Sequence, residues 1–382
     1  MEKAAEAIQK RVQDLRPEVL SFLRSLVEVN SYSRNYEGIN RVGEVVAGVM
    51  PADLGHRIHL DRNGVNHHIF ENTAASGGPV VLIGHVDTVF PPRTRSRKFE
   101  AVDGRVYGPG TADMKGGITV MVYALKVLEE MGLLPAIPLR VLVNGDEEIG
   151  SPHSSSTVEE LGRGASCALV FECGGLNGEV VHCRRGIRRF RLTVRGKARH
   201  AGVKSGAKDS AVVELSRMVL ALEALNEEDT GVSLNVGKIS GGTATNIVPD
   251  LAKASFEFRF WDENTEERVL DSIRDITGHV QCEGCSAKLV CHHSRPAGRP
   301  AQGTDRLFSV LASAAEELGM KVAKEKRGGT SDANFLMAQG IPTLDGMGPI
   351  GDLDHSPDEY IIEESLYERI ALTALLLTKV VG

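Results

Sequence analysis

Cysteine, tryptophan and long apolar runs are all scarce in this chain of 382 residues. Its six cysteines, Cys167, Cys173, Cys183, Cys282, Cys285 and Cys291, are too few and too scattered to staple a polypeptide of this length. That excludes a disulfide-built fold and fits a reducing compartment. No stretch approaches the roughly 18 consecutive apolar residues that a membrane span needs. The first segment, MEKAAEAIQKRVQDLRPEVLSFLRSLVEV, carries charges throughout and spaces its apolar residues for a helix, unlike a signal peptide. Membrane insertion and export are therefore disfavoured, and the expected location is the cytoplasm. Positive charge is not in excess either: the net charge of -7 argues against nucleic-acid binding. The one basic run, RRGIRRFRLTVRGKAR, alternates with Phe190, Leu192 and Val194 and reads as the wet face of a strand.

What is present is enough for a large core. With 42% hydrophobic and 25% charged residues, the chain is expected to form two domains. Up to about residue 180, apolar strands at 58–60, 67–70, 79–83, 139–143 and 168–171 alternate with helices, including 117–131 and 154–161. Strands apolar on both faces imply an α/β sheet flanked by helices. Near Arg184 the period changes to two, and strands and helices follow in βαββαβ order, a ferredoxin-like α+β module. After it, a helix at 304–318 and a last helix from about 363 to 381 return to the first pattern. The expected division is a discontinuous catalytic domain, 1–183 with 293–382, and an inserted domain, 184–292.

Five distant segments present metal-type ligands after apolar runs or in a glycine-rich loop: His85 and Asp87, Asp113, Glu147 and Glu148, Glu172, and His355. Imidazoles and carboxylates without matching cysteines are the ligand set of a hydrolytic two-zinc centre, not of a structural zinc knot. His85, Glu147, Glu148 and Glu172 follow buried strands, where open α/β sheets collect ligand groups. Taken singly, His85 also reads as a loop histidine, and Glu147 with Glu148 as an acidic helix start. Two divalent ions need an anionic bridge, for which Asp113 is the candidate. One acid of the Glu147–Glu148 pair is expected to ligate while the other serves as base. Asp87 is placed to take the second ring N–H of His85. Cys282-x-x-Cys285, followed by Cys291, His292 and His293, leaves a separate structural zinc site open, with loop cysteines the plainer account.

HVDTV, GPGTADMKGG, NGDEEIGS, FECG, RGKARHAG, GGTATNIVP, GGTSDANF and DHSP together resemble the co-catalytic zinc family of glutamate carboxypeptidase, succinyl-diaminopimelate desuccinylase, acetylornithine deacetylase and aminoacylase. The resemblance runs along almost the whole chain and is nearest to glutamate carboxypeptidase, including the passage GRPA. It implies that His85 and Glu172 hold one Zn2+, that Glu148 and His355 hold the other, that Asp113 bridges them and that Glu147 is the general acid/base. Co2+ or Mn2+ are the implied substitutes. It also implies a cis Asp113–Met114 peptide. His200 would reach the developing oxyanion from the partner subunit of a homodimer built through the inserted lid domain. Asn246, Arg259 and the loop Gly329, Thr330 and Ser331 would bind substrate, with Thr330 and Ser331 as hydroxyl donors; for Arg259 a solvated strand arginine is the competing account.

The function implied is hydrolysis of an amide in a small peptide or N-acyl amino acid, a carboxypeptidase releasing a C-terminal, glutamate-type residue. An N-acyl amino acid deacylase, deacetylase or desuccinylase is the alternative. A non-catalytic protein of the same fold is disfavoured because all six ligand and base positions hold competent residues.

Overall fold

The computed structural model describes residues 2–72, 75–94, 98–203, 208–227, 229 and 231–380. The chain divides into two compact units. The first comprises Met1–Cys183, Pro300–Arg327 and Ser331–Gly382; the second comprises Arg184–Arg299 with Gly328–Thr330.

In the first unit six strands form a mixed sheet in the order Gly55–Leu60, Asn66–Asn72, Leu139–Asn144, Val80–His85, Cys167–Val170, Thr343–Leu344. The first three are joined antiparallel and the rest parallel. Alternation along the central strands explains their continuous apolar runs. Val80 and Leu82 enter the main core, with residues of helices Glu2–Val27, Gly116–Glu130 and Glu363–Val380. Val81 and Ile83 enter a second cluster with helices Ser155–Gly162 and Ala333–Ala338. Both faces are thus covered, as expected of a parallel sheet. Ligand-bearing residues follow at the carboxyl ends of the parallel strands. Among the described residues no helix is long and apolar enough to cross a membrane.

The second unit is a four-stranded antiparallel sheet, in the order Ser233–Gly241, Leu251–Phe260, Gly186–Arg195, Ser286–Arg295, with helices Ala211–Glu223 and Glu263–Gly278. Phe190, Leu192 and Val194 point into its core, and Arg189 pairs with Glu257 across the strands. The insert runs past the expected limit at 292. Its last strand continues to Arg295 opposite Ile187, and Arg184 and Gly298 exchange both main-chain hydrogen bonds where the chain enters and leaves. Gly328–Thr330 also groups with this unit, Gly328 and Gly329 accepting from Arg259 and Arg184.

Candidate metal centre

Strand Val80–His85 is buried throughout and delivers His85 at its last position, 1% exposed. Nδ1 of His85 lies 3.0 Å from the main-chain oxygen of Asp87, so that nitrogen carries the proton and Nε2 faces the interior. Nε2 is 3.0 Å from Asp113 Oδ1 and 3.7 Å from Glu172 Oε1. Asp113 sits in the turn Thr111–Lys115, and its peptide to Met114 is cis, as the resemblance implied. Gly110, with φ of 79°, permits the left-handed entry into that turn. The other Asp113 oxygen, Oδ2, is 3.0 Å from His355 Nε2, which is 3.2 Å from Glu148 Oε2.

Two ligand groups result, His85–Asp113–Glu172 and Asp113–Glu148–His355, with ligand atoms in each within 4.8 Å of one another and Asp113 common to both. Nitrogen and carboxylate donors suit a hydrolytic divalent ion. Buried Glu148 Oε1 has no hydrogen-bond partner, an acceptor that a cation would satisfy. On both counts the residues present fit a metal pair. Among the described residues Cys282, Cys285, Cys291, His292 and His293 form no such group, and Cys282 Sγ lies 3.4 Å from Asp209 Oδ1 instead.

The charges point the same way. Burial, reinforced by Asp113, pushes Glu148 up to about 8 and raises Glu172 well above the carboxylate range. Burial also works against the Asp113 charge, but hydrogen bonds from His355 and His85 hold its carboxyl below the ordinary range. Bonds to Asp113 and Glu148 push His355 up to about 11. Burial opposes the His85 charge, yet Asp113 and Asp87 raise it well above the usual imidazole value. Protons on the imidazoles and acids neutralise a cluster of negative charge that divalent ions would neutralise in their place.

Glu147 and Glu148 lie on the turn Glu147–Ile149, just past strand Leu139–Asn144. Their main-chain N–H groups donate to Asp87 Oδ1 at 3.1 Å and Oδ2 at 3.2 Å, and Ser33 Oγ donates to Oδ2 at 2.9 Å. The Asp87 carboxylate therefore has a second task beside the expected contact with the His85 ring. Its Oδ1 is 3.4 Å from His85 Nδ1, farther than the main-chain oxygen, and both carboxylate oxygens hold the turn that carries Glu147 and Glu148. Glu147 is 8% exposed, near enough to raise both Glu148 and Glu172.

The sequence reading missed Glu359. Its buried carboxylate accepts from Gly110 N at 3.0 Å, Ala112 N at 2.7 Å and Asp113 N at 2.9 Å. The segment DHSPDEY offers three acids around His355, and only the fold distinguishes the exposed Asp354 and Asp358 from Glu359.

The remaining expected residues divide between the units. His200 and Asn246, both exposed, are neighbours in the second unit: Ala201 N donates to Asn246 O at 2.8 Å. Gly202 N donates to His200 Nδ1 at 3.1 Å, which places the ring proton on Nε2. Arg259 donates from Nε to Glu257 at 2.9 Å and from Nη1 to Gly328 O at 2.9 Å, so part of its fork is already used. Gly329 is exposed and Thr330 half-buried. Ser331, expected to donate to substrate, instead lies buried in the first unit and gives its hydroxyl to Asp345 at 2.6 Å. A hydroxyl committed to a buried carboxylate is not available to a ligand, which corrects that assignment.

The profile described as peptidase family M20/M25/M40 matches residues 81–379. Carboxypeptidase G2 of Pseudomonas sp. (strain RS-16) is 26% identical over 98% of this chain and 92% of its own. Succinyl-diaminopimelate desuccinylase of Gluconacetobacter diazotrophicus is 31% identical over 82% of this chain and 84% of its own. A family M20 metallo-carboxypeptidase from Sulfolobus solfataricus superposes with a TM-score of 0.77 at 18% identity, covering 95% of this chain and 99% of that one. A tripeptidase from Staphylococcus aureus does so with a TM-score of 0.78 at 21%, covering 96% and 98%. These two likenesses concern the fold.

Proposed function

Because this chain belongs to peptidase family M20/M25/M40, and is thus an enzyme of a metal-dependent hydrolase family, we propose that it is a dizinc carboxypeptidase. On this reading it releases a C-terminal, glutamate-type amino acid from a peptidyl or N-acyl donor. The observation that carries it is the pair of ligand groups sharing Asp113 beside the Glu147–Glu148 turn. The carboxypeptidase assignment draws on the likeness to carboxypeptidase G2 across 98% of the chain. An N-acyl amino acid deacylase or desuccinylase is the second reading, favoured by the 31% identity to a desuccinylase.

His85 and Glu172 would hold one Zn2+, Glu148 and His355 the other, and Asp113 both. Bound there, the ions would lower the pKa of water towards about 7 and polarise the scissile carbonyl. Glu147, placed by Asp87 through its main chain, takes the proton of the attacking water and returns it to the leaving nitrogen. His200, with its proton on Nε2, is a hydrogen-bond donor suited to the oxyanion of a partner subunit's substrate. Asn246, the free side of the Arg259 fork, Gly329 and Thr330 would bind the substrate's polar groups.

Chelation is expected to abolish hydrolysis, with Zn2+ or Co2+ restoring it. Glu147→Gln should keep its metal and lose about 10²–10⁴-fold in turnover. Activity that survives chelation ends the metal reading; a fully active Glu147→Gln enzyme removes Glu147 as the base. Assays on dipeptides and N-acyl amino acids with C-terminal Glu, Asp, Lys, Arg and apolar residues separate the two substrate readings.

A further inference from the structure

We infer that Glu359 is a positioning residue for the metal centre, its carboxylate holding the main chain of residues 110–113 so that Asp113 can face both ligand groups. This rests on the metal-centre reading above and adds a residue that makes no bond to either proposed ion.

Three main-chain N–H groups converge on this one side chain, Gly110 on Oε2 and both Ala112 and Asp113 on Oε1. Glu359 is 1% exposed, and a buried carboxylate is costly unless several donors satisfy it. The carboxylate is itself anchored. Strand Tyr360–Ile362 begins at the next residue and pairs with Arg105–Tyr107, while Gly108 N donates to Glu359 O at 3.4 Å. His355 lies four residues earlier on the same loop. One side chain therefore ties the loop that carries His355 to the turn that carries Asp113, two members of the same ligand group.

The chemistry needs an acid at this position. Both oxygens of Glu359 accept, whereas a glutamine would turn an NH2 towards either Gly110 N or the other two donors. Such a clash leaves a buried N–H unpaired and lets the turn move. An aspartate would keep the charge but draw the acceptor back from all three donors.

Metal binding on the full chain is the test, by Zn2+ titration against a competing chelator and by the visible absorption of the Co2+-loaded protein. Glu359→Gln is expected to bind metal about 10–100-fold more weakly and to show a changed Co2+ spectrum. Asp358→Asn, which makes the same acid-to-amide change at the exposed neighbouring position, should bind as wild type. A folded Glu359→Gln with wild-type affinity and spectrum overturns the inference, as does equal weakening in Asp358→Asn, which would trace the effect to charge alone. Should Glu359→Gln not fold, Glu359→Asp takes its place, with weaker binding expected and wild-type binding overturning. If the wild-type protein binds no ion, the functional reading itself fails. If it binds ions and Glu359→Gln matches it, only the role of Glu359 is lost.

Discussion

At the scale of single residues, Asp113 decides the ionisation of its neighbours. It gives one oxygen to His85 and the other to His355, and both imidazoles are held protonated as a result. A metal ion must displace those protons and the one that burial keeps on Glu148, whose value rises to about 8. The sign follows directly. A site that binds protons in competition with metal tightens its hold on metal as pH rises through the range where they leave. Zn2+ affinity is therefore expected to climb as pH rises through about 8 and on towards about 11, with more than one proton released per ion. Calorimetric titration in buffers of different ionisation enthalpy counts those protons, and a pH-independent affinity without proton release would contradict the charge pattern. In metal-free Asp113→Asn, the His355 ring should titrate well below its value of about 11, as followed by NMR.

At the scale of elements, close contacts explain both what the sequence disclosed and what it concealed. The buried strands were legible because alternate residues enter cores on both faces, leaving no polar position to break the run. Helix Tyr36–Ala47 was not read from the sequence, because Gly38 and Gly43 interrupt its pattern. Those glycines mark contact, not a turn: a Cβ on Gly43 would lie 2.7 Å from His68 Nε2, and one on Gly38 would lie 1.9 Å from Asn30 O. The strands Glu100–Val102 and Gly351–Asp352 are too short to carry any period. The proposed ligands were visible because they follow apolar runs or lie in a glycine-rich loop, and the family resemblance assigned their separate roles. Asp332 was not singled out: its carboxylate accepts from Asn144 Nδ2 at 2.7 Å and from Ser151, supporting the region around the Glu147–Glu148 turn. Gly117 offers a test of such packing, since a Cβ there would sit 1.7 Å from Phe171 O, beside Glu172. Gly117→Ala should destabilise the fold by about 1–3 kcal/mol or more and weaken metal binding. Urea unfolding with metal analysis checks both, and an unchanged midpoint would mean that helix Gly116–Glu130 moves freely against strand Cys167–Val170.

At the scale of the whole molecule, the second unit bears on assembly. Strand Ser233–Gly241 stands at the end of its sheet, paired on one side with Leu251–Phe260. Ile239 on that strand is 61% exposed and Leu220 on helix Ala211–Glu223 is 74% exposed, large apolar side chains beside an open edge. Such an edge is a template for pairing with a second copy, which supports the proposed homodimer. Leu220→Glu with Ile239→Lys is expected to shift the protein to monomers in sedimentation velocity, and an unchanged dimer would place the interface elsewhere. If His200 serves the partner subunit's site, verified hybrids of His200→Ala and Glu147→Gln chains should regain activity that neither homodimer has. Hybrids without activity would confine His200 to its own subunit or remove it from the reaction.

The order of the segments along the chain also sets a schedule for the enzyme's maturation. A chain made from its N-terminus has completed His85, Asp113, Glu148, Glu172 and the entire second unit before His355 and Glu359 are added. Until then Asp113 has one imidazole partner in place of two, and the main chain around it lacks its buried acceptor. A ribosome-bound intermediate would hold the protein's first ligand group without its second. On the proposed reading, full metal loading thus waits until His355 and Glu359 have been added, and an earlier intermediate is hydrolytically silent.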